Sequence, residues 1–225
     1  MTEAIAIFPT GLVKPYKAPK HYMDTFDIRK YQFEQYPSET KLRTPKFNNL
    51  LLLPEMAELA EFVKSCAKDF LDNVMQVDYD DFFFAESWLN VSGKGGYQKM
   101  HNHSNSVISG CIYLQSEEGH PALNFRRQKQ EFEPFFSLME HYKAGNPNTA
   151  YELSFPCTQD TMNVFSSWMY HGHQPNPLET ERIGLAWNIL VNFAVEDKDL
   201  YRLSFDKDAY NRPAVFVKEE LDKDS

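Results

Sequence analysis

The sequence predicts a mainly β domain, an antiparallel sandwich or jelly roll with one covering helix. Three observations lead there: a single amphipathic helical stretch, a following series of short aromatic and β-branched runs, and turn signals between those runs. Strands alternating with helices would instead build a parallel sheet, and the pattern after residue 81 does not alternate in that way.

A length of 225 residues suits one domain. Residues 1–50 carry prolines at 9, 15, 19, 37 and 45, which favours a flank of short edge strands and extended wrapping segments. From Pro54 to Val74 the apolar positions Met56, Leu59, Ala60, Val63, Ala67, Phe70, Leu71 and Val74 recur at three-and-four spacing. They predict a helix over about 54–76, within a covering segment 51–77, with one face on a sheet. The β core spans 82–195, with strands expected at 82–91, 106–115, 121–126, 151–156, 161–170 and 182–194. Residues 127–150 read as a lid or insertion with a short helix near Glu133–His141, and 196–225 as a charged tail.

With 23 Lys plus Arg against 32 Asp plus Glu, the net charge of -9 repels a phosphate backbone, so nucleic acid is not an expected partner. The short run Arg126-Arg127-Gln128-Lys129 reads as a solvated loop. No apolar run is long enough to span a bilayer, and the N-terminus lacks the layout of a secretory signal. Cys66, Cys111 and Cys157 are odd in number and show no paired spacing, which disfavours a disulfide framework or a Cys-based zinc site. A soluble cytoplasmic protein, monomer or homodimer, acting on a small molecule or a protein is the expectation.

Chemistry concentrates in the histidines. Four of the seven form two tight pairs, His101-Asn102-His103 and His171-Gly172-His173. In a strand, side chains two apart share a face, so H-x-H offers two imidazoles to one metal from one segment. The third ligand is then His171 or His173, at the end of the strand expected at 161–170. Alternation of Asn163, Phe165, Ser167, Met169 and His171 favours His171 and leaves His173 as a neighbouring group. His21, His120 and His141 read as ordinary surface or loop residues.

The run RIGLAWNILVNF at 182–193 separates by period two. Ile183, Leu185, Trp187, Ile189, Val191 and Phe193 make an apolar face for the helix, while Arg182, Gly184, Ala186 and Asn188 make the other. An arginine beside two minimal side chains leaves room for a small dicarboxylate, which its planar fork grips with two hydrogen bonds. The competing reading places Arg182 at the surface, paired with Glu179 or Glu181.

The order and spacing of these motifs resemble the 2-oxoglutarate/Fe(II) oxygenases, and more closely a family of bacterial and phage members of that superfamily. The resemblance rests on Trp88-Leu89-Asn90, on His101-Asn102-His103 with Ser106, and on Ser109-Gly110-Cys111-Ile112-Tyr113-Leu114. It continues through Phe165-Ser166-Ser167-Trp168-Met169-Tyr170-His171 and Arg182-Ile183-Gly184 with Asn188, covering roughly residues 86–193. It implies a double-stranded β-helix, a cupin-like barrel, with Fe(II) held by His101, His103 and His171. Arg182 would bind the distal carboxylate of the co-substrate 2-oxoglutarate, Tyr113 would add a hydroxyl contact, and Ser109 and Asn188 would line the pocket. The implied reaction is oxidative decarboxylation of 2-oxoglutarate coupled to hydroxylation of a substrate C–H bond.

Two departures stand out. His103 occupies the position where the usual facial triad has a carboxylate, and Gly184 replaces a serine that often supplies a hydroxyl to the co-substrate. The rivals are a cupin-type metalloenzyme that does not use 2-oxoglutarate, and a non-catalytic metal or small-acid binding protein. A cupin lacks a reason for an inward arginine. The run Ser92-Gly93-Lys94-Gly95-Gly96 is a turn, since it lacks the spacing of a phosphate loop.

Overall fold

A computed structural model describes residues 11–24, 27–31, 33–35, 42–45, 49–127, 150–194 and 204–211. The expected helix near Glu133–His141, His141 itself, most of the lid and most of the tail lie outside these residues.

The chain begins with β1 (Val13–Lys17), α1 (His21–Asp24), β2 (Phe33–Gln35) and β3 (Leu42–Pro45), followed by α2 (Ala57–Asp69), which continues as a π-helical stretch over Phe70–Met75. Then come β4 (Tyr79–Ser92), β5 (Gln98–His101), β6 (Ile108–Gln115), β7 (Leu123–Arg126) and β8 (Glu152–Phe155). The last elements are β9 (Thr161–Ser166), β10 (Tyr170–His173), β11 (Arg182–Phe193) and α3 (Lys207–Tyr210). The strands form a seven-stranded sheet, β1-β9-β6-β11-β4-β3-β2, and a four-stranded sheet, β5-β10-β7-β8, with antiparallel pairing throughout the described residues. The jelly-roll expectation holds, and the flank contributes edge strands to the larger sheet.

The helix follows from its sequence. Pro54 opens a 3-10 turn ahead of α2, where a missing N–H costs nothing. Leu59, Ala60, Val63, Cys66 and Ala67 then fall on one buried stripe that continues into Phe70 and Leu71. Gln76 ends the run in the left-handed region at φ 54. This stripe shares one core with Leu89 and Val91 of β4, Ile108 and Ile112 of β6, Val164 of β9 and Ile183 to Val191 of β11 at alternate positions. Each fully buried Leu, Ile or Val there stabilises the fold by about 1.5–3 kcal/mol. Trp187 is fully buried over Gly110, where a Cβ would come within 2.2 Å of the indole; glycine is required because the ring lies against the backbone of β6.

The opposite face of the larger sheet turns toward the smaller one. Cys111 and Tyr113 of β6 and Phe165 of β9 meet Leu123, Phe125, Phe155 and Cys157 in a second, smaller core. Two expectations need correction. The strand expected over 161–170 is two strands, β9 and β10, in different sheets, because a turn at Ser167–Met169 carries the chain from one sheet to the other. His120 is buried rather than superficial: its Nδ1 accepts from the Glu117 amide at 3.0 Å and its Nε2 lies 3.2 Å from the Thr180 carbonyl.

Candidate active site

Between the sheets lies a cavity of about 590 Å3 whose walls include His101, His103, His171, Arg182, Trp88 and Glu86. Pairing within the smaller sheet makes His171 the cross-strand partner of His101. Strand alternation does not place His103, since β5 ends at His101. Instead, the His103 amide donates to the Ser167 carbonyl at 2.9 Å, pinning the H-x-H segment to the turn between β9 and β10.

One ligand nitrogen from each of His101, His103 and His171 lies within 4.8 Å of the others. His103 Nε2 and His171 Nε2 are 3.2 Å apart, close to the ~3.0 Å that separates two adjacent nitrogens each ~2.1 Å from one ion. His101 Nδ1 pairs with the Lys99 carbonyl at 2.9 Å, and His171 Nδ1 with the Met169 carbonyl at 2.8 Å. Carbonyls only accept, so these Nδ1 atoms carry the protons and each Nε2 keeps its lone pair for a metal. Burial, and then the neighbouring His101, push His103 down to about 4 and His171 well below the ordinary histidine value. Both are neutral near pH 7, the form that binds a cation.

His173 is engaged differently. Its Nδ1 donates to the Gln174 carbonyl at 2.8 Å and its Nε2 accepts from Ser92 Oγ at 3.2 Å, so both nitrogens are taken by the protein. The geometry groups His171, not His173, with the first pair. Gly172 between them has its own reason: a Cβ there would lie 2.7 Å from the Gln98 carbonyl of β5.

Deeper in the cavity Arg182 is 3% exposed. Its Nε donates to the Pro121 carbonyl at 3.2 Å and its guanidinium lies 4.8 Å over the Tyr113 ring. Glu179 pairs with Lys94 instead. No carboxylate pairs with Arg182 among the described residues; its polar neighbours besides the Pro121 carbonyl include Tyr113, Cys157 and Cys111, and a buried cation without a full counter-charge is costly. The fully buried Tyr113 hydroxyl makes no hydrogen bond of ordinary geometry, Arg182 being the polar group beside it, and both amide atoms of Asn163, which stands opposite Cys111 on β9, lack partners. This interior has a positive charge and unspent polar atoms: the complement of a small carboxylate.

Residues 86–188 match a family described as "Putative 2OG-Fe(II) oxygenase". The matched core is similar to that family.

Among solved structures it is similar to HygX from Streptomyces hygroscopicus, crystallised with nickel, 2-oxoglutarate and hygromycin B. That pair is 12% identical over 89% of this chain and 94% of that one, with a TM-score of 0.57. A 2OG-Fe(II) oxygenase family oxidoreductase from Burkholderia pseudomallei is 14% identical over 80% and 84%, at 0.53. A Pseudomonas putida prolyl-4-hydroxylase is 12% identical over 81% and 94%, at 0.52. At such identities the likeness establishes the fold. No curated protein matches the chain by sequence.

Of the predicted pocket residues, Tyr113 lies against Arg182, whereas Ser109 and Asn188 lie at the histidine end. Ser109 Oγ donates to Asn188 Oδ1 at 2.6 Å. Sequence reasoning missed Glu86, Asn163, Cys157 and Ser92. Glu86 had a findable signal, being two residues before the Trp88-x-Asn90 motif and so on the same strand face. Asn163 shares the alternating face of Phe165 in the sequence, whereas Cys157 and Ser92 come from segments whose approach the sequence does not announce.

Proposed function

We propose that the protein is a 2-oxoglutarate-dependent Fe(II) oxygenase in which His101, His103 and His171 hold the iron, and Arg182 and Tyr113 receive the distal carboxylate of 2-oxoglutarate. The observation that carries the reading is the buried Arg182 with a buried tyrosine hydroxyl beside it, in the same cavity as three clustered imidazoles. Iron with 2-oxoglutarate and oxygen supplies oxidative decarboxylation to succinate and CO2, coupled to hydroxylation of a substrate C–H bond.

The chain's own residues do the rest. The Lys99 and Met169 carbonyls orient two ligand rings, and the Ser167 carbonyl fixes the backbone of the third. Arg182 and Tyr113 orient the acid by its far end, so that its keto-acid end points to the histidines. Phe125 and Phe165, whose rings lie 6.0 and 4.7 Å from the His171 ring, exclude water from one side. The remaining wall, with Trp88 and Asn90, faces the substrate, which is a small molecule or a protein side chain. The acidic charge and three unpaired thiols suit a cytoplasmic setting, and no helix among the described residues is long and apolar enough to cross a membrane.

The test is spectroscopic. Fe(II) and 2-oxoglutarate added without oxygen give a visible metal-to-ligand charge-transfer band in the parent protein. In Arg182→Leu the band requires at least ~10-fold more 2-oxoglutarate, as expected for losing a bidentate charge-assisted contact. A parent protein that holds iron yet shows no band would sink the co-substrate assignment, and an unchanged titration in the variant would remove Arg182 from it.

A further inference from the structure

Asn188 stands where three strands meet. It is the cross-strand partner of Glu86 on β4 and of Ser109 on β6, and a bulge follows it at Asn188/Ile189. Its amide is fully engaged: Nδ2 donates to Glu86 Oε1 at 2.6 Å and to His103 Nδ1 at 3.0 Å, while Oδ1 accepts from Ser109 Oγ at 2.6 Å. Behind it the hydroxyls of Ser109, Ser167 and Ser106 continue the chain at 2.8 and 2.9 Å.

This network dictates where the His103 proton sits. An amide oxygen could not approach a carboxylate oxygen at 2.6 Å, so the end of Asn188 that meets Glu86 is the NH2 group. His103 Nδ1 therefore accepts, and a neutral imidazole that accepts at Nδ1 carries its proton on Nε2. That proton points at His171 Nε2, 3.2 Å away, whose lone pair is free because His171 Nδ1 donates to Met169. Every donor meets an acceptor.

Metal capture needs the opposite arrangement. A cation at the three histidines requires a lone pair on His103 Nε2, so the ring must carry its proton on Nδ1 and find an acceptor there. Among the described residues, Asn188 is the polar group bonded to that nitrogen. Turning its amide over brings Oδ1 to His103 and Nδ2 to Ser109, whose hydroxyl accepts. The bond to Glu86 is given up, and the partly exposed Glu86 side chain must swing into the cavity, away from the amide oxygen.

We propose that Asn188 is a positioning residue that selects the ring tautomer of His103, and that metal capture turns its amide over against the hold of Glu86. One N–H is lost at Nε2 and one is gained at Nδ1, so the switch neither releases nor takes up a net proton. The inference rests on His101, His103 and His171 being the metal ligands.

Long-range 1H–15N correlation on histidine-labelled protein reads the tautomers directly. Without metal, His101 and His171 show Nδ1–H and His103 shows Nε2–H; after loading with Zn(II), a diamagnetic probe, His103 shows Nδ1–H. Co(II) titration supplies the second readout. Asn188→Leu, which offers no acceptor, weakens Co(II) binding by ~10-fold or more, the usual loss for a missing ligand partner. The double variant Glu86→Gln/Asn188→Asp tightens it by ~10-fold, because the carboxylate placed at position 188 accepts from His103 permanently while the amide placed at position 86 donates to that carboxylate.

If Asn188→Leu fails to fold, the double variant and the parent spectra still decide. A metal-free parent with His103 as Nδ1–H, or a double variant within about threefold of the parent, overturns the proposal. A parent that does not bind Co(II), or a His101→Ala variant that binds it as tightly, overturns the metal-site reading and this proposal with it.

Discussion

Arg182 and His173 show how position within one cavity decides what a residue does. Both are buried and lie close enough to interact, Arg182 helping to push His173 down to about 3 after burial itself. Yet Arg182 lacks an anionic partner among the described residues, while His173 has both ring nitrogens committed to Gln174 and Ser92. His171 has one nitrogen committed and the other pointing at His103. Replacing His171 with Ala is expected to abolish stoichiometric Fe(II) binding, whereas His173→Ala keeps it; equilibrium dialysis of both variants checks this. The reverse pattern would transfer the ligand role to His173.

Elements set the tolerances. β10 carries His171 and His173 along β5, and Gly172 permits the close approach: a Cβ would meet the Gln98 and Lys99 carbonyls at 2.7 and 3.0 Å. The Lys99 carbonyl also holds His101 Nδ1. Gly172→Ala must therefore push β5 away, costing about 1–3 kcal/mol of stability and weakening iron binding together with it. Denaturant midpoints and metal titration read the two effects, and normal metal affinity in that variant would show that the strand spacing does not matter to the site.

On the far side of the larger sheet, Asp69 at the end of α2 accepts from Lys14 and Tyr16 of β1. Lys14 first, then Tyr16 and Asn73, hold its carboxyl down to about 2. A carboxylate lowered on folding stabilises the protein above its unfolded value, and that contribution is lost as pH falls through the folded one. Urea midpoints should thus fall between about pH 4 and pH 2 in the parent, less steeply in Asp69→Asn. Parallel slopes would exclude this clamp.

At the scale of the molecule, binding and stability are linked. The cavity lies between both sheets, so an acid that ties Arg182 of the larger sheet to the proposed iron site at His101 and His171 of the smaller would stabilise the native state alone. At 100 times its dissociation constant such a ligand adds about 2.7 kcal/mol. At about 2–4 °C per kcal/mol for a chain of this size, the melting temperature of the metal-loaded protein should rise by roughly 5–10 °C with 2-oxoglutarate. Differential scanning calorimetry measures it, and the rise should vanish in Arg182→Leu at the same concentration.

The sequence by itself determined the elements with strong period: α2, from its three-and-four spacing, and β4, β6 and β11, from alternation and turn signals. It also determined the inward side of β11, because burial of Ile183, Leu185 and Trp187 on one face leaves Arg182, Ala186 and Asn188 on the other. The tertiary structure decided the rest. Alternation was an unsound guide from Asn163 to His171, since the chain changes sheets at Ser167, and His103 is fixed by a backbone bond to another segment. The roles of Glu86, Ser109 and Asn188 arise from the register of three strands far apart in sequence. Local pattern encodes which face of an element is apolar; which polar groups meet across the cavity depends on how distant segments pair, and that appears when the chain is folded.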